Sequence, residues 1–115
     1  MSDLIEIRDL VRQFAADRDW DQFHSPKNLA MALSVEAAEL LEHFQWLSQA
    51  QSAELPAAKR KQVAQEMSDV LVYLVRLADK LDIDLLQETK EKLVLNGEKY
   101  PAELVRGSAK KYTEY

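Results

Sequence analysis

Two pairs of acids, each spaced three residues apart, stand out in this chain: Glu36-x-x-Glu39 within SVEAAELLEHFQWL, and Glu66-x-x-Asp69 within QEMSDVLVYLVRLADK. On a helix that spacing puts both members of a pair on one side. Both pairs are also in step with apolar residues. Leu29, Leu33, Glu36, Leu40, His43 and Leu47 recur at steps of four and three, the pattern of a core seam, and Val63, Glu66, Val70, Tyr73 and Leu77 repeat it. If the two helices are neighbours, four carboxylates converge inside an apolar interior. Like charges at close range raise each other's pKa and burial raises it further, so the cluster must hold protons or a cation. Pairing with lysine or arginine is the ordinary fate of one such motif on a helix. Two motifs, both registered with core seams, favour the cation. Oxygen donors in a chain without cysteine suit a hard ion, Mg²⁺ with Mn²⁺ as substitute, rather than zinc. Ferritin-like di-iron sites need a Glu-x-x-His pair on each of two helices. Neither pair has that form, and the only histidines are His24 and His43. A histidine-based phosphohydrolase is short of ligands for the same reason.

Four helices position these groups. The first spans about Leu4 to Ala16, with Leu4, Ile7, Val11 and Phe14 on one face. DRDWDQFHS breaks the pattern. Ser25 followed by Pro26 marks the start of the second helix, serine as cap and proline in the first turn, and the apolar period carries it to about Leu47. A polar connector, SQAQSAELP, leads to the third helix, about Ala57 to Leu81. Asp84 with Gln87 three residues on resembles a capping box, and the fourth helix runs to about Tyr100, where Pro101 stops it. Short connectors favour antiparallel neighbours, so the expected architecture is an all-α four-helix bundle. The third helix carries a second apolar seam, Met67, Leu71, Leu74, Ala78 and Leu81. A helix apolar on two sides is central or meets another subunit, which predicts a homo-oligomer, dimer or tetramer.

Composition narrows the class. At 115 residues the chain has the size of one domain with a proper core, and its 47% apolar content fits a globular fold. The low content of two glycines and three prolines argues against β-hairpins and phosphate-cradling loops. With no long apolar run and no signal peptide, a cytoplasmic protein without membrane contact is expected. A net charge of −5 disfavours nucleic acid polymers as partners but not a small anionic ligand, because Lys92, Arg106, Lys110 and Lys111 concentrate positive charge toward the C-terminus.

Trp20, Phe23 and Trp46 fall in or beside loops, either as stacking surfaces for a base or as plugs for the bundle ends. His43 reads as a satisfied core histidine. Asn96 falls on an apolar stripe with Leu86, Thr89, Leu93 and Tyr100, one turn after Lys92, and a buried asparagine needs partners such as phosphate or sugar oxygens.

Taken together, these segments resemble the all-α nucleoside triphosphate pyrophosphatases, the MazG-like superfamily, and its dCTP pyrophosphatase branch in particular. The resemblance runs through RDWDQFHSPKNLAMALSVEAAELLEHFQWL, QEMSDVLVYLVRLADKLDIDL, KLVLNGEKYP and the KKYTEY tail. The ExxE…ExxD signature is shared widely; the W-x-x-F-H-x-P-x-N-L and N-x-x-x-Y-P motifs make the match specific. Val35 departs from the wider superfamily, which often has a further glutamate there, as the dCTP branch often does not. The resemblance implies cleavage of a nucleoside triphosphate, dCTP or a modified relative, to monophosphate and pyrophosphate, in the cleaning of nucleotide pools. It implies that Glu36, Glu39, Glu66 and Asp69 hold Mg²⁺, that Trp20 and Trp46 contact the base and that His24 bonds to the base edge. It further implies that Lys92 and Asn96 bind substrate. Tyr73 is either a deoxyribose contact or a seam aromatic. Arg106 and Lys111, with Lys110, either fold over the triphosphate from a neighbouring subunit or form a solvated tail. The rival reading is a non-catalytic helical binding module that keeps the fold; an intact set of four acids argues against it.

Overall fold

The computed structural model describes residues 3–109. The protein is all-α: every regular element among those residues is helical. The chain divides into two compact units, one ending at Ile83 and the other beginning at Asp84.

The first unit contains α1 (Asp3–Asp17), a 3-10 turn (Asp21–Phe23), α2 (Pro26–Glu42), a short α3 (Gln49–Ala53) and α4 (Ala57–Lys80). The long helix α4 packs along α2 and, less extensively, along α1. The core is small: Ala15 from α1, Leu29 from α2, and Val63, Val75 and Ala78 from α4. Two helix ends use the same device. Asp19 and Asp82 take the left-handed conformation, each at φ 53°. After α1, Asp19 N–H donates to Ala16 O and Trp20 N–H to Ala15 O, at 3.1 and 2.9 Å. After α4, Asp82 N–H donates to Asp79 O and Ile83 N–H to Ala78 O, at 3.2 and 2.9 Å. Both are Schellman closures, and aspartate tolerates the positive φ better than most residues. The first of them sets Trp20 at the end of α1.

Helix α2 starts where the sequence places it. Ser25 Oγ accepts from Asn28 N–H at 3.1 Å, with Pro26 in the first turn. Its end does not match: the apolar period points to Leu47, but the helix stops at Glu42. From His43 the backbone bonds tighten, His43 N–H to Leu40 O and Phe44 N–H to Leu41 O. Ser48 then starts a new helix with a complete capping box, its Oγ accepting from Gln51 N–H (3.1 Å) while Gln51 Oε1 accepts from Ser48 N–H (2.9 Å). The connector read as loop therefore contains α3, and His43 caps α2 instead of lying within it. Phe14, assigned to the apolar face of α1, is instead exposed and packs edge-on against Trp20, at 5.8 Å between centroids.

The second seam of α4 is split. Ala78 is buried, whereas Met67, Leu71 and Leu81 are exposed. On α2, Met31, Val35 and Leu41 are exposed too.

The second unit consists of α5 (Leu85–Lys99) and α6 (Ala102–Val105). Only half of its expected capping box forms. Asp84 Oδ1 accepts from Gln87 N–H at 3.0 Å, but the Gln87 side chain turns forward to donate to Glu91 Oε1 at 3.2 Å. The stripe read as buried is largely open: Leu86, Thr89 and Leu93 are exposed, and Asn96 and Tyr100 are half-buried.

Candidate metal and nucleotide site

Glu36 and Glu39 from α2 meet Glu66 from α4, each offering an oxygen within 4.8 Å of the others. All three are half-buried. One oxygen of Glu36 and one of Glu66, Oε2 in each case, are buried with no hydrogen-bond partner. An unpartnered buried carboxylate oxygen is costly. Burial pushes the Glu36 carboxyl up from 4.5 to about 7, aided by the facing acids Glu39 and Glu66, to which a protonated Glu36 can donate, and by repulsion from Glu39 and Asp69. A hard divalent cation satisfies this set: the donors are all oxygen, close together and partly desolvated, and two are orphaned. Asp69 lies outside the three-residue group and is exposed, though its charge is felt at Glu36.

The aromatic candidates separate. Trp20 stands beside His24, the ring centroids 6.5 Å apart at 61°. Trp46, in the turn after α2, is 87% exposed. Phe23 is exposed, and Tyr73 is half-buried on α4. In the second unit, Lys92 and Asn96 line a groove along α5 with Glu88, Thr89 and Leu93. Arg106 is exposed at the end of α6, and Lys110 and Lys111 lie outside the described residues.

A second cluster has no counterpart in the motif reading. Arg76, only 4% exposed, is the buried charged side chain of α4. Its Nη2 meets Asp21 Oδ1 at 2.7 Å, its Nη1 meets Asp79 Oδ2 at 3.4 Å, and its Nε donates to His24 Nδ1 at 3.1 Å. Asp79 also takes a fork from Arg12 on α1, at 3.0 and 2.5 Å, and Asp21 pairs with Lys80. Arg12 holds Asp79 below the usual carboxylate range, and Lys80 does the same for Asp21. The signal was present in the sequence as one arginine inside the apolar run VLVYLVRLA. Its partners, however, are up to 55 residues away.

The site and the helices around it define a class. A model of the MazG-like family matches residues 31–115, and the chain belongs to that family. It is similar to dCTP pyrophosphatase 1 from Mus musculus, 47% identical over 113 residues, and to the Homo sapiens protein of that name, 45% identical over 113 residues. Each alignment covers 96% of this chain and 66% of the relative, so the chain spans just under two thirds of the length of these curated relatives. It is also similar in structure to a pyrophosphatase from Archaeoglobus fulgidus, with a TM-score of 0.82, 39% identity and coverage of 88% of this chain and 94% of the other.

Proposed function

We propose that this chain is a Mg²⁺-dependent nucleoside triphosphate pyrophosphohydrolase that converts dCTP, or a 5-substituted dCTP, to the monophosphate and pyrophosphate. The observation that carries the reading is the trio Glu36, Glu39 and Glu66, with two buried oxygens lacking any partner. The relatives named dCTP pyrophosphatase 1 support dCTP as the substrate.

Glu36, Glu39 and Glu66 would hold the ion, with Asp69 on the next turn of α4 as a further ligand. When bound, the ion neutralises triphosphate charge and aligns the chain for in-line attack by water at the α-phosphorus. The α–β bridging bond breaks and pyrophosphate leaves. A carboxylate of this set not spent on the ion takes the proton of the attacking water. Trp20 and Trp46 give the base a stacking surface, which provides affinity without choice. His24 beside Trp20 supplies the polar contact to the base edge, and Tyr73, one turn after Asp69, crowds the sugar at C2′. The assignment of Lys92, Asn96, Arg106 and Lys111 to substrate oxygens rests on the family resemblance.

The same reading takes the whole chain as one domain of the family's helical-bundle type, acting in the cytoplasm on nucleotide pools. No described helix is long and apolar enough to cross a membrane. The exposed Met67, Leu71, Met31 and Val35 support assembly into a dimer or tetramer.

Pyrophosphate release from dCTP, dTTP, dATP and CTP with Mg²⁺ tests the assignment. Release from dCTP above the others is expected. Release from none would leave a binding module. In the same panel Trp46→Ala weakens all substrates alike, whereas His24→Ala erodes the ranking among bases.

A further inference from the structure

Arg76 has more hydrogen-bonding reach than its charge requires. Asp21 and Asp79 already neutralise it, and each of those acids has another cation, Lys80 and Arg12 respectively. The third direction of the guanidinium is spent on His24, through Nε–H to Nδ1 at 3.1 Å. A guanidinium has donors only, so Nδ1 must present its lone pair. The single proton of a neutral imidazole then sits on Nε2. A second proton is opposed by the surroundings: burial lowers the His24 pKa first, then Arg76 and Lys80, and only Asp21 works the other way. Three cations and two anions already make up the cluster, so a charged His24 would add to an existing excess of positive charge.

We propose that Arg76 is a positioning residue for base selection: by donating to His24 Nδ1 it fixes the imidazole as the Nε2–H tautomer, so that His24 reads the base as a hydrogen-bond donor. The proposal deepens the pyrophosphohydrolase reading and rests on His24 meeting the base, which its place beside Trp20 supports. A donor there selects an acceptor on the base. Cytosine carries one at N3, where thymine and uracil carry N3–H, so a donor at that edge favours dCTP over dTTP. The ring reads this way at any pH that leaves His24 neutral.

Two measurements on the full chain test the idea. In ¹H–¹⁵N spectra of histidine-labelled protein, His24 should show a lone-pair type Nδ1 and a protonated Nε2 as a single tautomer. In Arg76→Met the His24 pKa should rise, and the tautomers should mix. A protonated Nδ1 in the unaltered protein would overturn the proposal. The second measurement is the ratio of dCMP to dTMP affinity, with the ratio of kcat/KM for the triphosphates beside it. Arg76→Met should reduce both ratios roughly tenfold, the scale of one net hydrogen bond. In a His24→Ala background, Arg76→Met should change neither ratio further. An unchanged ratio in the single variant, or an equal loss in the His24→Ala background, would show that Arg76 does not act through His24. Should Arg76→Met not fold, Arg76→Lys keeps a charge for Asp21 and Asp79, removes the Nε–H and should lose the same selectivity. If the unaltered chain hydrolyses no nucleotide, the pyrophosphohydrolase reading fails, while the spectra and the monophosphate affinities still decide the role of Arg76.

Discussion

The acid trio of α2 and α4 and the Arg76 network of α4 bury charge in opposite ways. At the trio, carboxylates face carboxylates, and two oxygens are left without partners. At Arg76, three cations share two carboxylates, and Asp79 takes two of the guanidinium groups. The first arrangement is complete only when it takes up a proton or a cation. The second is complete within the fold. Unsatisfied buried polarity of one sign marks a place where a protein gives up stability for a ligand, whereas a closed network fixes geometry.

The sharpest way to break the contrast is Glu66→Gln. Glutamine keeps the shape and removes a charge that the cation needs, so turnover should vanish. Folding should survive, and the metal-free midpoint should rise because one repulsion is gone. Turnover at the normal rate in Glu66→Gln would make the trio structural and sink the mechanism.

Next in size is the metal itself. An ion that binds only the folded chain adds RT ln(1 + [L]/Kd), about 2.7 kcal/mol at a hundredfold excess over Kd. For a chain of this length that shifts the thermal midpoint by roughly 10 °C. Melts in EDTA and in excess Mg²⁺ measure it. The Asp79→Asn variant, altered only in the closed network, should keep the full shift.

The two clusters should also pull stability in opposite directions with pH. Glu36 is raised from 4.5 to about 7, so its contribution in the metal-free protein is fully present below 4.5 and is lost as pH rises through about 7. Asp21 and Asp79 are lowered from 3.8, so theirs is fully present above that value and is lost as pH falls below it. Metal-free melting across that range should show both limbs. Glu36→Gln should flatten the alkaline one, and Asp79→Asn the acid one.

The smallest expected effect lies within the closed network. Asp79 is 10% exposed and ties Arg12 of α1 to α4, while Asp21 is 64% exposed. Asp79→Asn should therefore lower the thermal midpoint more than Asp21→Asn, and added salt should narrow the effect of Asp21→Asn first. Equal effects would mean that burial does not distinguish the two pairs.

Much of this was legible in the chain itself. Helical period and turn residues are local properties, so α1, the start of α2, α4 and the aspartate cap of α5 could be read directly, as could the two acid motifs and their register with Leu29 and Val63. Local competition was harder to weigh. The apolar period ran on through Leu47, but the Ser48 and Gln51 box offered the backbone an alternative, and α2 ended at Glu42. What only the tertiary structure decided were pairings across long stretches of sequence. Glu36 meets Glu66 because α2 lies along α4, while Asp69, on the next turn of α4, is exposed and lies outside the trio. Arg76 finds Asp21 and His24 because the Schellman turn at Asp19 and the 3-10 turn that follows bring that segment to α4. Sequence spacing sets which residues share a face of one helix; which faces meet is set by packing the whole chain. The charge balance of each cluster, and with it the difference between an open site and a closed network, exists only once they have met.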